Sequence, residues 1–132
     1  MIFEVDQKVL FKHCDPAGIM FFPRAFEIVN DCVERFFDDA VGWPYETIHP
    51  AASVPTVEIS TRFAAPSRHG DRLRLRLTVL RVGRTSLTYR LDATCGGELR
   101  FETRATLVHV GPDGRPAPWP QKIRTKLEGE GP

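Results

Sequence analysis

This 132-residue sequence contains few cysteines, no long apolar run and almost no net charge. Cys14, Cys32 and Cys95 are odd in number and form no C-x-x-C pair, so neither a disulfide framework nor a zinc site is indicated. No apolar segment has the length of a signal peptide or a membrane span, and we expect a cytoplasmic protein. A formal net charge of +1 argues against nucleic-acid binding through bulk charge. The G-x-S-x-G motif of serine hydrolases is also absent.

The composition that remains is typical of one globular domain. Hydrophobic residues make up 42% and charged residues 27% of the chain, which is enough apolar material for a core. The length predicts a single domain over residues 1–132. Residues 112–132, rich in proline, glycine and charge, are predicted to form an extended tail with a short helix from Pro120 to Leu127.

Alternation of apolar and polar residues predicts five β-strands. They cover residues 3–12, 57–63, 73–79, 87–95 and 99–107. The alternation slips at Val79–Leu80, which predicts a bulge or strong bend. Gly96–Gly97 predicts a tight hairpin between the last two strands, and residues 42–55 are predicted to be a loop.

Between the first two strands, apolar residues recur every three or four positions and predict one helix that ends near Val41. Phe22 occupies the position before Pro23, where Ser, Thr, Asp or Asn would normally cap the first turn. Without such a cap, early N–H groups lack a partner, and the helix dipole favours a ligand oxygen with negative charge. Long antiparallel strands around this one substantial helix predict an α+β fold, with a curled five-stranded sheet wrapped around a central helix.

The segment between the first strand and the helix holds the carboxylate that is best placed for chemistry. It reads HCDPAGIMFFPR over residues 13–24. Pro16 keeps Asp15 out of the helical region, and Gly18 can adopt a positive φ. Two interpretations are open at this point. Asp15 can act on a carbonyl beside the uncapped helix, or it can merely cap a short turn that begins with a proline.

The order of elements, together with this segment, resembles the hot-dog fold thioesterases, and among them the 4-hydroxybenzoyl-CoA thioesterase group. Residues 15–20 and Phe22 carry the likeness to the family's Asp-containing motif. Residues 66–71 are similar to the family's link between the second and third strands, and residues 83–86 to its next turn. The resemblance extends to about Gly111.

The resemblance implies an acyl-CoA thioesterase that releases a free acid and CoA. Asp15 is then the catalytic carboxylate, as nucleophile or general base, and the Phe22 backbone N–H is the donor to the oxyanion. It also implies a homodimer that completes the site, with the pairing of dimers into tetramers left open. No metal or cofactor is implied, since CoA belongs to the acyl-CoA or aryl-CoA substrate. The residues expected to bind substrate are His13, Pro16, Gly18, Arg81, Arg84 and Thr85.

Several alternatives are open. The chain can be a non-catalytic acyl-thioester binding protein, or a hot-dog dehydratase that acts on acyl-carrier thioesters. Some hot-dog thioesterases use a carboxylate on the helix, but Asp31 and Glu34 fall on its polar side and are expected to face solvent. Arg124 and Lys126 are further candidates for phosphate contacts. Relatives often have His or Tyr at the position of Phe22, so the acyl group is left undefined.

Overall fold

The computed structural model describes residues 1–129. Five antiparallel strands form one sheet in the order β1-β3-β4-β5-β2. The strands are β1 (Ile2–Lys8), β2 (Thr56–Phe63), β3 (Arg72–Val82), β4 (Ser86–Cys95) and β5 (Glu98–Val108). The helices are α1 (Phe22–Arg35), α2 (Tyr45–Ile48) and α3 (Gln121–Leu127). The predicted α+β fold is confirmed. Among residues 1–129, no helix combines the length and the apolar character needed to cross a bilayer.

The core lies between the inner face of the sheet and α1. Inward positions of the strands alternate with exposed ones, as the period-two pattern requires. The buried strand residues include Leu73, Leu75, Leu77, Leu87, Tyr89, Leu91 and Phe101. The buried residues of α1 are Ala25, Ile28, Val29, Cys32 and Val33. These residues return every three or four positions, so one stripe of the helix faces the sheet.

The first strand is shorter than the predicted residues 3–12 and ends at Lys8. The Leu10 N–H donates to Nδ1 of His13 at 2.9 Å, which draws the chain into a 3₁₀ turn over Phe11–His13. Phe11 was expected on the buried face of a strand. It is 80% exposed, because the turn points it outward.

The helix begins one residue earlier than predicted. Phe21 lies at the capping position, Phe22 is the first helical residue and Pro23 the second. No side chain caps this end, as predicted. At the other end α1 gives way to a π-helical segment, Phe36–Val41, which Gly42 terminates with a φ of +73°. The predicted continuous helix is therefore two segments.

The predicted loop over residues 42–55 contains α2, and the predicted tail is packed rather than extended. Trp119 is buried, and its Nε1–H donates to the Ser86 carbonyl at 3.0 Å. The tail helix is present as α3, whose Ile123 and Leu127 are buried. Residues 130–132 of the predicted tail lie outside the described residues.

Two predicted irregularities of the sheet are present. The register of β3 against β4 shifts between Val79 and Arg81, which is the predicted bulge. Gly96 and Gly97 connect β4 to β5 with φ values of +57° and +84°. Such positive values favour glycine, since a side chain at these positions is strained.

Strand β2 forms one edge of the sheet and is far more exposed than its alternating pattern predicted. Val57, Ile59 and Phe63 should lie on a covered face, yet they are 61%, 41% and 42% exposed. The helix leaves this side of the sheet open. An edge strand with uncovered apolar side chains is suited to pairing with another strand.

The burial pattern predicts a clear difference between two leucines. Leu91→Ala removes a fully buried side chain and is expected to lower the free energy of unfolding by about 2–5 kcal/mol. Leu80→Ala, at the partly exposed bulge, should cost only about 0.5 kcal/mol. Urea denaturation of both variants measures the difference, and equal losses would contradict the packing described above.

Candidate active site

Asp15 lies at the tip of a tight turn that its own carboxylate helps to form. Its Oδ1 accepts the Ala17 N–H at 2.9 Å, and its carbonyl accepts the Gly18 N–H at 2.9 Å. Its N–H donates to the Ile19 carbonyl at 2.9 Å. The carboxylate is half-buried, and Oδ2 accepts no hydrogen bond from residues 1–129. The turn therefore holds one oxygen in a defined direction and leaves the other available.

Backbone bonds hold this turn beside the start of α1. Cys14 and Met20 form an antiparallel bridge on either side of the turn. The Phe21 N–H donates to the His13 carbonyl at 2.9 Å, which ties the residue before the helix to the incoming chain. The Asp15 turn and the helix start thus form one rigid unit.

The first N–H of α1 has no acceptor within the part of the chain that the structure describes. Phe22 supplies this N–H, Pro23 has none, and the Arg24 N–H donates to the Phe21 carbonyl at 2.8 Å. The Phe22 ring is 59% exposed and meets the ring of Phe63 edge-on, with centroids 6.3 Å apart. A free donor at a helix N-terminus attracts an oxygen with negative charge.

The β2–β3 loop supports the Asp15 turn from the other side, a contact that the sequence analysis missed. The Met20 N–H donates to the Ser67 carbonyl at 2.7 Å, and Ile19 pairs with Arg68. The loop is the one over residues 66–71 that resembles the family's link between its second and third strands. That it contacts Ile19 and Met20 follows only from the tertiary structure.

An ion pair holds the same loop to β5. Arg100 donates from Nη1 to the Asp71 carboxylate at 2.6 Å and to the Pro66 carbonyl at 3.1 Å. The Asp71 carboxylate also accepts the Arg68 N–H at 2.9 Å. The Arg68 hydrogen bond, followed by that from Arg100, lowers the pKa of Asp71 below its ordinary value.

His13 is buried, although it was predicted to bind substrate. Its Nδ1 accepts the Leu10 N–H, so a neutral ring carries its proton on Nε2. Burial, followed by the neighbouring Lys12 charge, lowers the pKa of His13. The structure gives its side chain a part in shaping the 3₁₀ turn.

The other predicted substrate-binding residues fall into two groups. Pro16 and Gly18 are exposed on the Asp15 turn, where Gly18 has a φ of +83°. Arg81, Arg84 and Thr85 lie at the far end of β3 from the loop that contacts this turn. The length of that strand, at about 3.3 Å per residue, separates the two ends by roughly 33 Å within one chain.

Some candidate residues have structural partners or face solvent. The guanidinium of Arg124, a candidate for a phosphate contact, donates to the carbonyls of Gly83 and Val82 at 2.8 and 3.2 Å, and the phosphate contact stays a prediction. Asp31 and Glu34 are exposed on α1, as expected.

A cavity of about 570 Å³ opens between α1, the α2 segment and β2. Its walls are mostly apolar, and Phe26 and Ile59 lie on its rim toward the helix start. Polar groups on the lining include Asn30, Tyr45 and Tyr89. The sequence analysis assigned none of these to a site. The one sequence signal for a polar group in this cavity was Tyr89, which occupies an inward position of β4 among leucines and alanines.

A family model for the thioesterase-like superfamily matches residues 9–127. The chain belongs to this superfamily. The predicted hot-dog thioesterase resemblance is thereby confirmed, and the prediction of a thioester hydrolase is confirmed at the level of the family. No curated protein matches the chain by sequence.

Solved structures share the fold of this thioesterase-like chain at low sequence identity. A 1,4-dihydroxy-2-naphthoyl-CoA thioesterase from Synechocystis has 21% identity and a TM-score of 0.87, with 96% of each chain covered. A hypothetical protein from Staphylococcus aureus in complex with CoA has 19% identity and a TM-score of 0.91, covering 98% of this chain and 83% of that one. A gentisyl-coenzyme A thioesterase has 21% identity and a TM-score of 0.84, covering 95% and 98%. The cytoplasmic location stays a prediction.

The Asp71 ion pair of this thioesterase-like protein predicts an acid-dependent loss of stability. A folded-state pKa below the unfolded value stabilises the fold above about pH 4, and this contribution is lost as pH falls through the folded value. Asp71→Asn should lower the free energy of unfolding at pH 7 by about 1–2 kcal/mol and flatten its decline below about pH 4. Asp38→Asn, at an exposed position, is the control. Identical pH profiles for wild type and Asp71→Asn would contradict this role.

Proposed function

We propose that this protein hydrolyses acyl-CoA thioesters, with Asp15 as the catalytic carboxylate and the Phe22 N–H as the donor to the oxyanion. The observation that carries the proposal is the free Phe22 donor at an uncapped helix start, held beside a carboxylate turn in a member of the thioesterase-like superfamily. Asp15 either attacks the thioester carbonyl or takes a proton from an attacking water. In both cases attack places negative charge on the carbonyl oxygen, and collapse of this tetrahedral intermediate breaks the C–S bond and releases CoA as the thiolate. If Asp15 is the nucleophile, water then hydrolyses the acyl–Asp15 anhydride to the free acid.

The helix start is suited to that charge. A single backbone donor aimed at a developing oxyanion typically supplies about 2.7–4 kcal/mol of transition-state stabilisation. Phe22 has no polar side-chain group, so only its N–H can contribute at this position. Pro23 leaves the neighbouring position without a competing donor.

Two observations on similar proteins support a CoA thioester as the substrate. One structure of the same fold holds CoA, and two others are named for aryl-CoA thioesters. The identity of the acyl group is a separate question, because each of these proteins shares only about a fifth of its residues with this chain.

We further propose that two copies pair along their β2 edges to complete the site. Phe63 on β2 meets the exposed Phe22 of α1, and Ile59 lines the same cavity as the exposed Phe26, so these four side chains form an uncovered apolar strip. Antiparallel pairing of two β2 strands covers this strip and satisfies the open backbone groups of the edge.

This pairing also brings the turn after β3, which carries Arg84, toward the Asp15 turn of the other copy. Thr56, Leu107, Leu87 and Val82 form one row across the sheet, at the end opposite to Phe63. In an antiparallel pair, that end of one copy lies beside the Asp15 end of the other. The turn after β3, with Arg84, then approaches the substrate's nucleotide across the dimer.

Substitution of Asp15 separates catalysis from turn formation. Asp15→Asn can still accept the Ala17 N–H, so its stability should equal that of the wild type. Its kcat should fall by about 10²–10⁴-fold, since an amide can neither attack the thioester nor accept a proton from water. Asp15→Ala should lose the same activity and also about 0.5–2 kcal/mol of stability. Release of free CoA and thermal unfolding measure the two effects.

Asp113 offers a matched control for this experiment. Its Oδ1 accepts the Arg115 N–H at 3.1 Å, which is the same i, i+2 turn at a remote position. Asp113→Asn should therefore leave both kcat and stability unchanged. An Asp15→Asn enzyme as active as Asp113→Asn would rule out the catalytic role. Binding of thioesters without CoA release by the wild type would favour the non-catalytic binding protein.

Mixed dimers test whether the site is shared. Arg84→Glu alone should raise KM for acyl-CoA with little change in kcat, because a phosphate contact binds ground and transition states alike. The rise should shrink with acyl-pantetheine, which lacks the nucleotide phosphates. Refolding a mixture of Asp15→Asn and Arg84→Glu chains should restore turnover at low KM, since one of the two sites in each mixed dimer then carries neither substitution. No recovery in verified mixed dimers would mean one of two things. Either Arg84 and Asp15 of the same copy serve one site, or Arg84 lies outside the site.

A further inference from the structure

The cavity described above begins next to the proposed reaction centre. Phe22, Phe26 and Asn30 are four residues apart and share one face of α1, and Phe63 and Ile59 share one face of β2. Phe22 therefore lies about 6 Å, one helical turn, from Phe26 at the rim, and its contact Phe63 lies about 13 Å along β2 from Ile59. An acyl group whose carbonyl meets the Phe22 N–H can extend directly into this space.

Tyr89 places a polar group deep in that apolar space. It stands opposite Ala105 on β5, which in turn stands opposite Ile59, so it shares a row of the sheet with the rim residue. Its side chain is 2% exposed and lines the cavity. Its hydroxyl forms no hydrogen bond with residues 1–129 and is not among their fully buried unpaired atoms, so it is open to the cavity. A bound group that supplies an acceptor can therefore pair with it.

Tyr45 adds a second phenol to the lining of the cavity. Burial, followed by the charge of Glu34, raises the pKa of Tyr45 to about 12, and burial raises that of Tyr89 as well. Both phenols are therefore protonated donors at neutral pH. His49 turns its Nδ1 to the Tyr45 carbonyl at 2.8 Å, and its ring packs edge-on against Tyr45 with centroids 5.6 Å apart.

We propose that Tyr89 is a specificity-determining residue, which selects acyl groups that carry a hydrogen-bond-accepting oxygen at the end distal to the thioester. The inference rests on the proposed thioesterase function and names the substrate class of that site. The phenol donates to the distal oxygen, while the apolar walls accept the carbon skeleton. An acyl group without this oxygen buries the Tyr89 hydroxyl unpaired and binds less well in both ground and transition states.

Matched pairs of CoA thioesters test the assignment. Suitable pairs are 4-hydroxyphenylacetyl-CoA with phenylacetyl-CoA, and 8-hydroxyoctanoyl-CoA with octanoyl-CoA. For the pair that the wild type turns over fastest, kcat/KM should favour the oxygenated member by about tenfold, mainly through KM. Tyr89→Phe should reduce this preference to less than about twofold. Thr88→Val, which removes a hydroxyl from the outer face of the same strand, is the control and should keep the wild-type ratio.

Binding measured without turnover separates this inference from the proposed hydrolysis. Calorimetric titration of Asp15→Asn, with and without Tyr89→Phe, should give the same oxygen-dependent ratio of Kd values. A ratio that Tyr89→Phe leaves unchanged overturns the inference, as does a wild type that binds neither member of any pair. If the ratio depends on Tyr89 but no CoA is ever released, the proposed hydrolysis fails and the specificity assignment stands.

Discussion

The packing of one helix against the inner face of one twisted sheet determines what the remainder of the molecule can do. The apolar stripe of α1 from Ala25 to Val33 is buried against the strands. The same helix leaves the side of β2 uncovered, where Ile59 and Phe63 are exposed. Both the cavity and the open helix start lie along this uncovered side. A helix centred over all five strands would close them.

The local structure around Asp15 shows how a short segment becomes rigid without regular secondary structure. The Asp15 carboxylate accepts the Ala17 N–H, and the backbone on either side of the turn forms a bridge between Cys14 and Met20. The Ser67 carbonyl of the β2–β3 loop accepts the Met20 N–H. Each of these bonds satisfies a backbone group that would otherwise face solvent or the core. Such over-determination suits a carboxylate that must meet a carbonyl in one geometry.

The capping and catalytic interpretations of Asp15 are compatible in this geometry. Oδ1 accepts the Ala17 N–H, while Oδ2 accepts no hydrogen bond from residues 1–129. A turn-forming carboxylate is therefore also an oriented one. This dual use is why Asn, which preserves the turn, is more informative than Ala at this position.

Much of the fold follows from local pattern. The alternation in β3, β4 and β5 places Leu75, Leu91 and Phe101 inside the sheet, as found. The slip in the alternation near Val79 predicts the bulge of β3, and Gly96–Gly97 predicts the hairpin between β4 and β5. Both features depend on backbone geometry within a few residues.

The features that the sequence did not predict depend on contacts between distant segments. The 3₁₀ turn forms because the His13 ring captures a backbone N–H, which no periodicity encodes. The exposure of β2 follows from its place at the edge of the sheet. The place of Tyr89 on a cavity wall is visible only once α1 is seen to leave a cavity above β4.

The domain prediction, the homodimer and the roles of the site residues stay predictions. The uncovered β2 edge, the apolar strip beside it and the distance between Asp15 and Arg84 in one chain all favour a site made by two copies. The most direct measurement is specific activity over a dilution series, with the dimer fraction of the same samples followed by analytical ultracentrifugation. CoA release per chain should fall in proportion to the dimer fraction. Full activity in samples that contain only monomer would contradict the shared site.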